Sequence, residues 1–220
     1  MSAHPGIGMT SERTKMRMIE QLRREGIKDE RVLAAMTEIP RHAFVEEGIA
    51  SRAYDDTPLP IGHGQTISSP TIVALMTQLL LERESSRPIG KVLEVGTGCG
   101  YQTAVLARLV KEVYTLERLA PLMDKARRHL RDLRFYNVRF KHVDGHAGYA
   151  EGAPYDGILI AACATHVPQA LKEQLAVGGR MVIPVGIEDQ WLYVVDRGED
   201  GFTEQRREAV RFVPLVPGVA

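Results

Sequence analysis

A glycine-rich segment at residues 92–102 is the part of the sequence best suited to binding a ligand. It places Gly96, Gly98 and Gly100 directly after an apolar run and before a segment with helical spacing of apolar residues. Glycine lets a backbone approach a ligand closely, and a helix N-terminus directs amide groups and a positive dipole end toward it. The Gly-x-Gly-x-Gly spacing differs from the Gly-x-Gly-x-x-Gly of dinucleotide-binding proteins and favours a nucleoside without a pyrophosphate. A tight turn that binds nothing is the simpler alternative.

Two acidic residues follow at positions that suit a nucleoside. Glu117 lies 21 residues after Gly96, at the end of the second predicted strand, where a carboxylate typically holds a ribose diol. Asp144 ends the third predicted strand and could accept a hydrogen bond from an adenine amine, although Asp-Gly is also an ordinary turn dipeptide. Ligands of such sheets lie beyond the carboxyl ends of the strands. The sequence therefore predicts a pocket for S-adenosyl-L-methionine formed by Glu94, Gly96, Gly98, Gly100, Glu117, Asp144 and Gly145.

A second candidate segment, residues 60–70, contains small, hydroxyl-bearing and amide side chains between glycines and prolines. Thr66 and Ser68 can donate hydrogen bonds from their hydroxyls to an anion. The alternative is that Ser68 or Ser69 only caps the helix that follows. A serine hydrolase is not indicated, because the chain has no Gly-x-Ser-x-Gly motif.

The elements that position these residues follow from hydrophobic periodicity and helix-end signals. Residues 1–9 are predicted to be frayed, and residues 51–69 form a long loop without periodicity that is too apolar to be disordered. Asp29 and Ser69-Pro70 are expected to begin helices. Strands are predicted at 91–95, 112–117, 138–143, 156–161 and 179–185, and helices at 10–24, 101–110, 119–132 and 167–176.

This alternation predicts an α/β fold with a Rossmann-like, doubly wound and mostly parallel sheet. Two extended runs at 190–195 and 208–213, joined by the turn-rich residues 197–201, add a C-terminal antiparallel hairpin. Such a hairpin is typical of Rossmann-like methyltransferases rather than of dehydrogenases. The 220 residues form one predicted domain, with an N-terminal helical extension at 10–85 and the cofactor-binding sheet at 86–220.

Composition limits the possible partners. The chain has 28 Lys and Arg against 28 Asp and Glu, a net charge of zero, which argues against nucleic acid or an anionic membrane as partner. No leader-like or membrane-spanning apolar stretch is present, and we expect a cytoplasmic protein. The two cysteines and scattered histidines predict neither a disulfide framework nor a metal site.

Taken together, these segments resemble the protein-L-isoaspartate (D-aspartate) O-methyltransferase family over nearly the whole chain from about residue 10. The most specific match is the Gly64-Gln65-Thr66-Ile67-Ser68 loop, since many methyltransferases share the glycine turn. The other matching segments are Pro40-Arg41-x-x-Phe44, residues 93–104, Tyr155-Asp156, Gly178-Gly179 and residues 210–216. Cys99 and the run at residues 160–163 depart from the family pattern by small changes in size, and we expect these to alter affinity rather than abolish activity.

The resemblance implies a repair enzyme that uses S-adenosyl-L-methionine to methylate the carboxylate of L-isoaspartyl residues in damaged proteins and peptides. The sequence shows no long apolar surface stripe, and we therefore expect a monomer. It implies that Ser68 is the active-site residue, with Thr66 beside it. It also implies that substrate is bound by Gln65 and by the tail residues Arg211, Phe212 and Val213.

Three other functions stay open on the sequence alone. A nucleic-acid methyltransferase is disfavoured by the charge balance and by the absence of Asn-Pro-Pro-Tyr or Pro-Cys motifs. A non-catalytic nucleoside-binding module is disfavoured by the loop at residues 64–68. A nicotinamide-dependent dehydrogenase is disfavoured by the glycine spacing and the terminal hairpin.

Overall fold

The computed structural model describes residues 8–83 and 88–220. Its helices are α1 (Gly8–Arg24), α2 (Glu30–Glu38), α3 (Pro70–Leu81), α4 (Tyr101–Leu109), α5 (Ala120–Asp132) and α6 (Gln169–Glu173). Its strands are β1 (Leu59–Gly62), β2 (Gln65–Ile67), β3 (Lys91–Val95), β4 (Glu112–Glu117), β5 (Val138–His142), β6 (Tyr155–Ile160), β7 (Leu175–Gly186), β8 (Gln190–Arg197) and β9 (Phe202–Val210). The predicted frayed terminus at 1–9 and the predicted boundary at 85–86 fall wholly or partly outside the described residues.

Seven strands form one sheet in the order β5-β4-β3-β6-β7-β8-β9. The ladders from β5 to β7 are parallel, and β8 and β9 add an antiparallel hairpin. The strand order changes direction at β3, because β4 and β5 lie on one side of it and β6 and β7 lie on the other. The connections that follow β3 and β6 therefore run in opposite directions and leave a crevice between them, which is where open α/β sheets bind ligands. This confirms the predicted Rossmann-like fold with its terminal hairpin.

Both faces of the central strands are buried, and consecutive strand residues pack on opposite faces. Val92 packs with α3 and α4 on one face, whereas its neighbour Leu93 packs with α6 on the other. A third cluster joins the N-terminal helices and the β1–β2 ribbon to α4, through Leu22, Ile61 and Tyr101 among others. The N-terminal extension is therefore packed against the helix that follows the glycine turn.

Several element boundaries differ from the prediction. The loop at 51–69 contains an antiparallel ribbon, β1 and β2, turned by Gly62, His63 and Gly64, all with positive φ. Strands this short show no readable periodicity. The second hairpin strand is Phe202–Val210 rather than 208–213, because β9 is an exposed edge strand whose polar residues do not alternate with apolar ones.

The helix predicted over 167–176 is only Gln169–Glu173, and β7 begins at Leu175 rather than at residue 179. The register of β6 against β7 shifts between Tyr155 and Gly157. The extra residues of β7 include Gly178, whose φ is 76°. Glycine in a strand typically marks such an irregularity. Because a glycine is not typical of a strand, the prediction began after Gly178 and missed the first residues of β7.

Helix ends follow the predicted signals. The Asp29 side chain accepts a hydrogen bond from the Arg31 amide at the start of α2. Ser69 does the same for the Ile72 amide at α3, and Pro70 occupies the first turn. In the described residues, no helix combines the length and apolarity that a membrane crossing requires.

Gly100→Ala should lower the free energy of unfolding by about 1–3 kcal/mol. Gly100 has a φ of 91°, and an added Cβ would lie 2.6 Å from Leu130 Cδ1 and 3.1 Å from Ala126 Cβ on α5. Urea unfolding measures the loss. Gly48→Ala is the matched control, since an added Cβ there meets nothing within 4 Å. Equal losses in the two variants would contradict the role of Gly100 in packing the turn.

Candidate active site

The glycine turn between β3 and α4 depends on left-handed backbone at three positions. Gly96, Gly98 and Gly100 have φ values of 95°, 54° and 91°, which other residues adopt at an energetic cost. The amides of Gly96 and Thr97 donate to the Leu116 carbonyl on the neighbouring strand, at 2.9 and 3.1 Å. The turn is therefore attached to β4 at the carboxyl end of the sheet.

A cleft opens above this turn and encloses about 990 Å³ of empty space, including solvent at its mouth. Six separate stretches of the chain contribute: the β1–β2 ribbon with the start of α3, the glycine turn with the start of α4, the residues after β4, after β5 and after β6, and the tail after β9. The predicted site residues that line it are Gln65, Thr66, Ser68, Gly96, Gly98, Glu117, Gly145 and Val213. Segments far apart in sequence thus form one site.

Glu117 is the acidic residue of the half of the cleft that lies over the glycine turn, the cofactor half. Its side chain is buried, with Oε2 accepting from the Gly98 amide and Oε1 accepting from the Leu119 amide, both at 2.9 Å. These two bonds fix the carboxylate plane and hold the glycine turn against β4. Each carboxylate oxygen has a further lone pair for a hydroxyl donor, so this geometry suits a ribose diol.

Asp144 is not among the cleft residues, although Val143 and Gly145 on either side of it are. Its Oδ1 accepts from the His146 amide at 2.9 Å, and its Oδ2 accepts from the Gly218 amide at 2.7 Å. The bonds from Gly218 and His146 lower the pKa of Asp144 to about 2. The carboxylate proposed for an adenine amine therefore holds the C-terminal tail in this structure.

Glu94 lies beneath the cleft rather than in it. It is fully buried, and its Oε2 accepts from the hydroxyls of Thr103 and Thr115 at 2.5 and 2.6 Å. Thr115 in turn lies 2.6 Å from the hydroxyl of Thr97 in the glycine turn. Burial raises the pKa of Glu94 to about 8, so the group is a neutral acid at pH 7. It supports the turn through threonine hydroxyls and does not contact the space above it.

Glu94→Gln should flatten the dependence of stability on pH between about 5 and 8. The unfolded chain loses this proton near 4.5, whereas the folded chain keeps it until about 8. Between these values the unfolded state binds fewer protons, so wild-type stability falls as pH rises. Glutamine has no such proton, and we expect a relative gain on the order of 1–3 kcal/mol at pH 8.

Urea unfolding of both proteins at pH 5 and pH 8 measures this difference. Glu112→Gln, on the neighbouring strand and paired with Arg139 at the surface, is the control and should leave the slope unchanged. A Glu94→Gln variant with the wild-type slope would contradict the neutral, buried state of Glu94.

The acceptor half of the cleft is built by the β1–β2 ribbon and the start of α3. The hydroxyl oxygen of Ser69 caps α3, at 3.4 Å from the Ile72 amide. Ser68, the residue before it, lines the cleft. Gln65 and Thr66 lie on β2 at the same edge. Apolar side chains, Ile61, Val73 and Met76 among them, cover the rest of this half.

The tail residues divide between the cleft and its surroundings. Val213 lines the cleft, and its carbonyl accepts from the Cys163 amide at 2.8 Å. Arg211 is exposed and Phe212 packs against the core, and neither is among the cleft residues. Gln190 holds both backbone groups of Phe212. Gly100 likewise lies outside the cleft, at the cap of α4.

Sequence reasoning missed several cleft residues. Those directly after strand ends, Arg118 and Leu119 after β4 and Ala161 and Ala162 after β6, could have been found from the rule that ligands lie at the carboxyl ends of strands. Cys99 also lines the cleft, and burial raises the pKa of its thiol to about 11. It is therefore a neutral wall residue and not a nucleophile.

Comparisons with known proteins agree with this geometry. Residues 12–220 match the sequence profile of the protein-L-isoaspartate(D-aspartate) O-methyltransferase family. A protein-L-isoaspartate O-methyltransferase of Dechloromonas aromatica is 58% identical over 97% of this chain and 98% of its own length. One of Nitrosomonas eutropha is 54% identical over 98% of this chain and 96% of its own.

Solved structures give the same assignment. A protein-L-isoaspartate O-methyltransferase structure superposes with a TM-score of 0.82 at 26% identity, over 93% of this chain and 67% of that one. A Plasmodium falciparum chain described as the same enzyme, in complex with S-adenosyl-L-homocysteine, gives 0.78 at 27% identity over 92% and 98% of the two chains. The resemblance inferred from the sequence is confirmed, and the chain belongs to the protein-L-isoaspartate(D-aspartate) O-methyltransferase family of S-adenosyl-L-methionine-dependent enzymes.

Proposed function

We propose that this chain transfers a methyl group from S-adenosyl-L-methionine to the free carboxylate of L-isoaspartyl residues in damaged proteins and peptides. Family membership supports the reaction. The single observation that carries the proposal for this chain is the cleft itself, in which the Gln65-Thr66-Ile67-Ser68 segment lies beside the Gly96–Gly98 turn and Glu117.

The residues of the cofactor half fit an adenosyl amino acid. The left-handed glycines keep side chains out of the turn, and an added Cβ at Gly98 would come within 3.3 Å of Ile61 Cδ1 across the cleft. Glu117 provides fixed acceptors for two hydroxyls. When bound, S-adenosyl-L-methionine supplies a methyl group on a positively charged sulfur, which an oxygen nucleophile can attack.

The acceptor half needs little acid–base chemistry. A carboxyl group with a pKa of about 4 is already ionised at neutral pH. We assign to Ser68 the donation of a hydrogen bond that orients this carboxylate, with Thr66 and Gln65 beside it and Val213 facing it from the tail. The apolar wall excludes water, which strengthens the attraction between opposite charges. Orientation is the larger effect, worth up to about 7–11 kcal/mol in favourable cases.

Transfer of labelled methyl to a matched pair of peptides tests the proposal. The two peptides differ only in one isoaspartyl versus normal aspartyl linkage. We expect base-labile label on the isoaspartyl peptide alone. Absence of label on both, with the cofactor still bound, would contradict the substrate assignment while leaving the cofactor site intact. The cytoplasmic location and the monomeric state stay predictions of the sequence.

A further inference from the structure

Arg41 belongs to a motif, Pro40-Arg41-x-x-Phe44, to which the proposed function gives no role. It begins a single 3₁₀ turn, Arg41–Phe44, and is completely buried. Its Nε donates to the Ala53 carbonyl at 2.7 Å, and its Nη2 donates to the Ser68 carbonyl at 2.6 Å. The guanidinium thus joins Ala53 and Ser68, the two ends of the acceptor loop (residues 53–68), and Ser68 is the residue assigned to the substrate.

Arg41 and Phe44 both pack on Tyr101, the first residue of α4. The guanidinium carbon lies 4.8 Å from the Tyr101 ring centroid, and the Phe44 ring meets Tyr101 edge-on at 5.4 Å. Residues three apart in a 3₁₀ turn lie on the same side of it. Arg41 and Phe44 can therefore both contact Tyr101 from one short turn. Tyr101 itself lines the cleft. Arg41 therefore lies behind the acceptor loop, at its junction with the glycine turn.

Arg41 forms no direct ion pair in the described part of the chain, although the carboxylate of Asp56 lies close enough to attract its charge. Among the residues that the structure describes, its Nη1 has no hydrogen-bond acceptor. The nearby acid, Asp56, instead accepts from the amide and hydroxyl of Thr71. Burial lowers the pKa of Arg41, yet arginine stays protonated in proteins. A buried, unpaired charge is costly, and it attracts an anion bound nearby.

We propose that Arg41 is a positioning residue that holds Ser68 through its carbonyl, and that its charge, which no direct ion pair neutralises, makes the acceptor site prefer a carboxylate over its neutral ester. This inference rests on the proposed function. The loop contacts account for the first part, and the buried Nη1 without an acceptor and the lack of a direct ion pair account for the second.

The reaction itself removes the attraction. The carboxylate oxygen forms a bond to the methyl carbon while the carbon–sulfur bond breaks and its electron pair goes to sulfur. No proton moves, and the negative charge of the acceptor disappears. Arg41 therefore attracts the substrate but not the product, which favours release of the ester after transfer.

The test compares an isoaspartyl peptide with an isoasparaginyl peptide of the same sequence, whose amide is a neutral isostere. The KM of the first and the inhibition constant of the second are measured for wild type, Arg41→Gln and Arg41→Lys. Arg52→Gln is the matched control, since Arg52 is exposed and its contact is a 3.5 Å ion pair with Asp55. Cooperative melting and binding of S-adenosyl-L-homocysteine confirm that each variant folds.

We expect wild type to prefer the acid by about tenfold or more, the size typical of a charge contact. Arg41→Gln should reduce this preference to about threefold or less by raising the KM of the acid alone. Arg41→Lys should keep the preference, because the charge is retained, while kcat falls because lysine cannot hold two carbonyls in the same way. Arg52→Gln should match wild type.

Wild type that binds amide and acid equally would overturn the inference even if Arg41→Gln does not fold. A folded Arg41→Gln with the wild-type preference, or a folded Arg41→Lys without it, would also overturn it. Failure of wild type to methylate the isoaspartyl peptide would instead refute the proposed function, and this inference with it.

Discussion

Ser68→Ala should lower turnover of isoaspartyl peptides by about ten- to a hundredfold, the loss expected for one hydrogen bond to a charged group. Cofactor affinity should stay within about twofold, because Ser68 lies in the acceptor half, outside the glycine turn and the Glu117 contacts. The backbone of Ser68 should keep its position, since Arg41 holds the main-chain carbonyl and not the hydroxyl.

Initial rates with an isoaspartyl peptide and calorimetric titration with S-adenosyl-L-homocysteine measure the two effects. Ser69→Ala is the matched control, because Ser69 caps α3. Its loss should lower the free energy of unfolding by about 1 kcal/mol and leave the turnover of folded enzyme near wild type. If Ser68→Ala lost cofactor binding together with activity, the separation of the cleft into two halves would be wrong.

Glu117→Ala should weaken cofactor binding by about a hundredfold, whereas Ser68→Ala should change it by no more than about twofold. The substitution removes the acceptors assigned to the ribose diol. It also leaves the amides of Gly98 and Leu119, each now 2.9 Å from a carboxylate oxygen, without a protein partner in a buried site. Both the direct contact and the shape of the glycine turn are lost, so KM for the cofactor should rise more than kcat falls.

Calorimetry with S-adenosyl-L-homocysteine measures the affinity directly. Glu112→Ala is the control, since Glu112 lies at the other end of the same strand, away from the cleft, and pairs with Arg139. It should bind the cofactor as wild type does. An unchanged affinity in Glu117→Ala would refute the ribose assignment.

Much of the fold could be predicted because its signals are local. The apolar strands β3 and β4, the helix caps at Asp29 and Ser69 and the order of strands and helices all depend on residues close together in sequence. The family could be identified for the same reason, because its most specific segment is five consecutive residues at 64–68. The β1–β2 ribbon lacks such signals and could not be placed, and the polar edge strand β9 was predicted at 208–213 instead of Phe202–Val210.

The site was predictable in its residue types more than in their contacts. Gly96, Gly98 and Glu117 lie in one cleft with Ser68, as their positions at strand ends suggested. Glu94 and Asp144 could not be placed by the same rule, because it locates the backbone of a strand end but not the direction of a side chain. Their carboxylates hold Thr103 and Thr115 in one case and the Gly218 amide in the other.

The sequence by itself determined the fold class, the cofactor turn and the acceptor loop, because each is coded by spacing within a short stretch. Only the tertiary structure decided which polar groups face the cleft and which support it from behind. Arg41 shows the physical reason, since its proposed role depends on the Ser68 carbonyl 27 residues away and on a buried Nη1 that has no hydrogen-bond acceptor among the described residues. Contacts between distant residues, and the charges left unpaired by burial, exist only once the chain has folded.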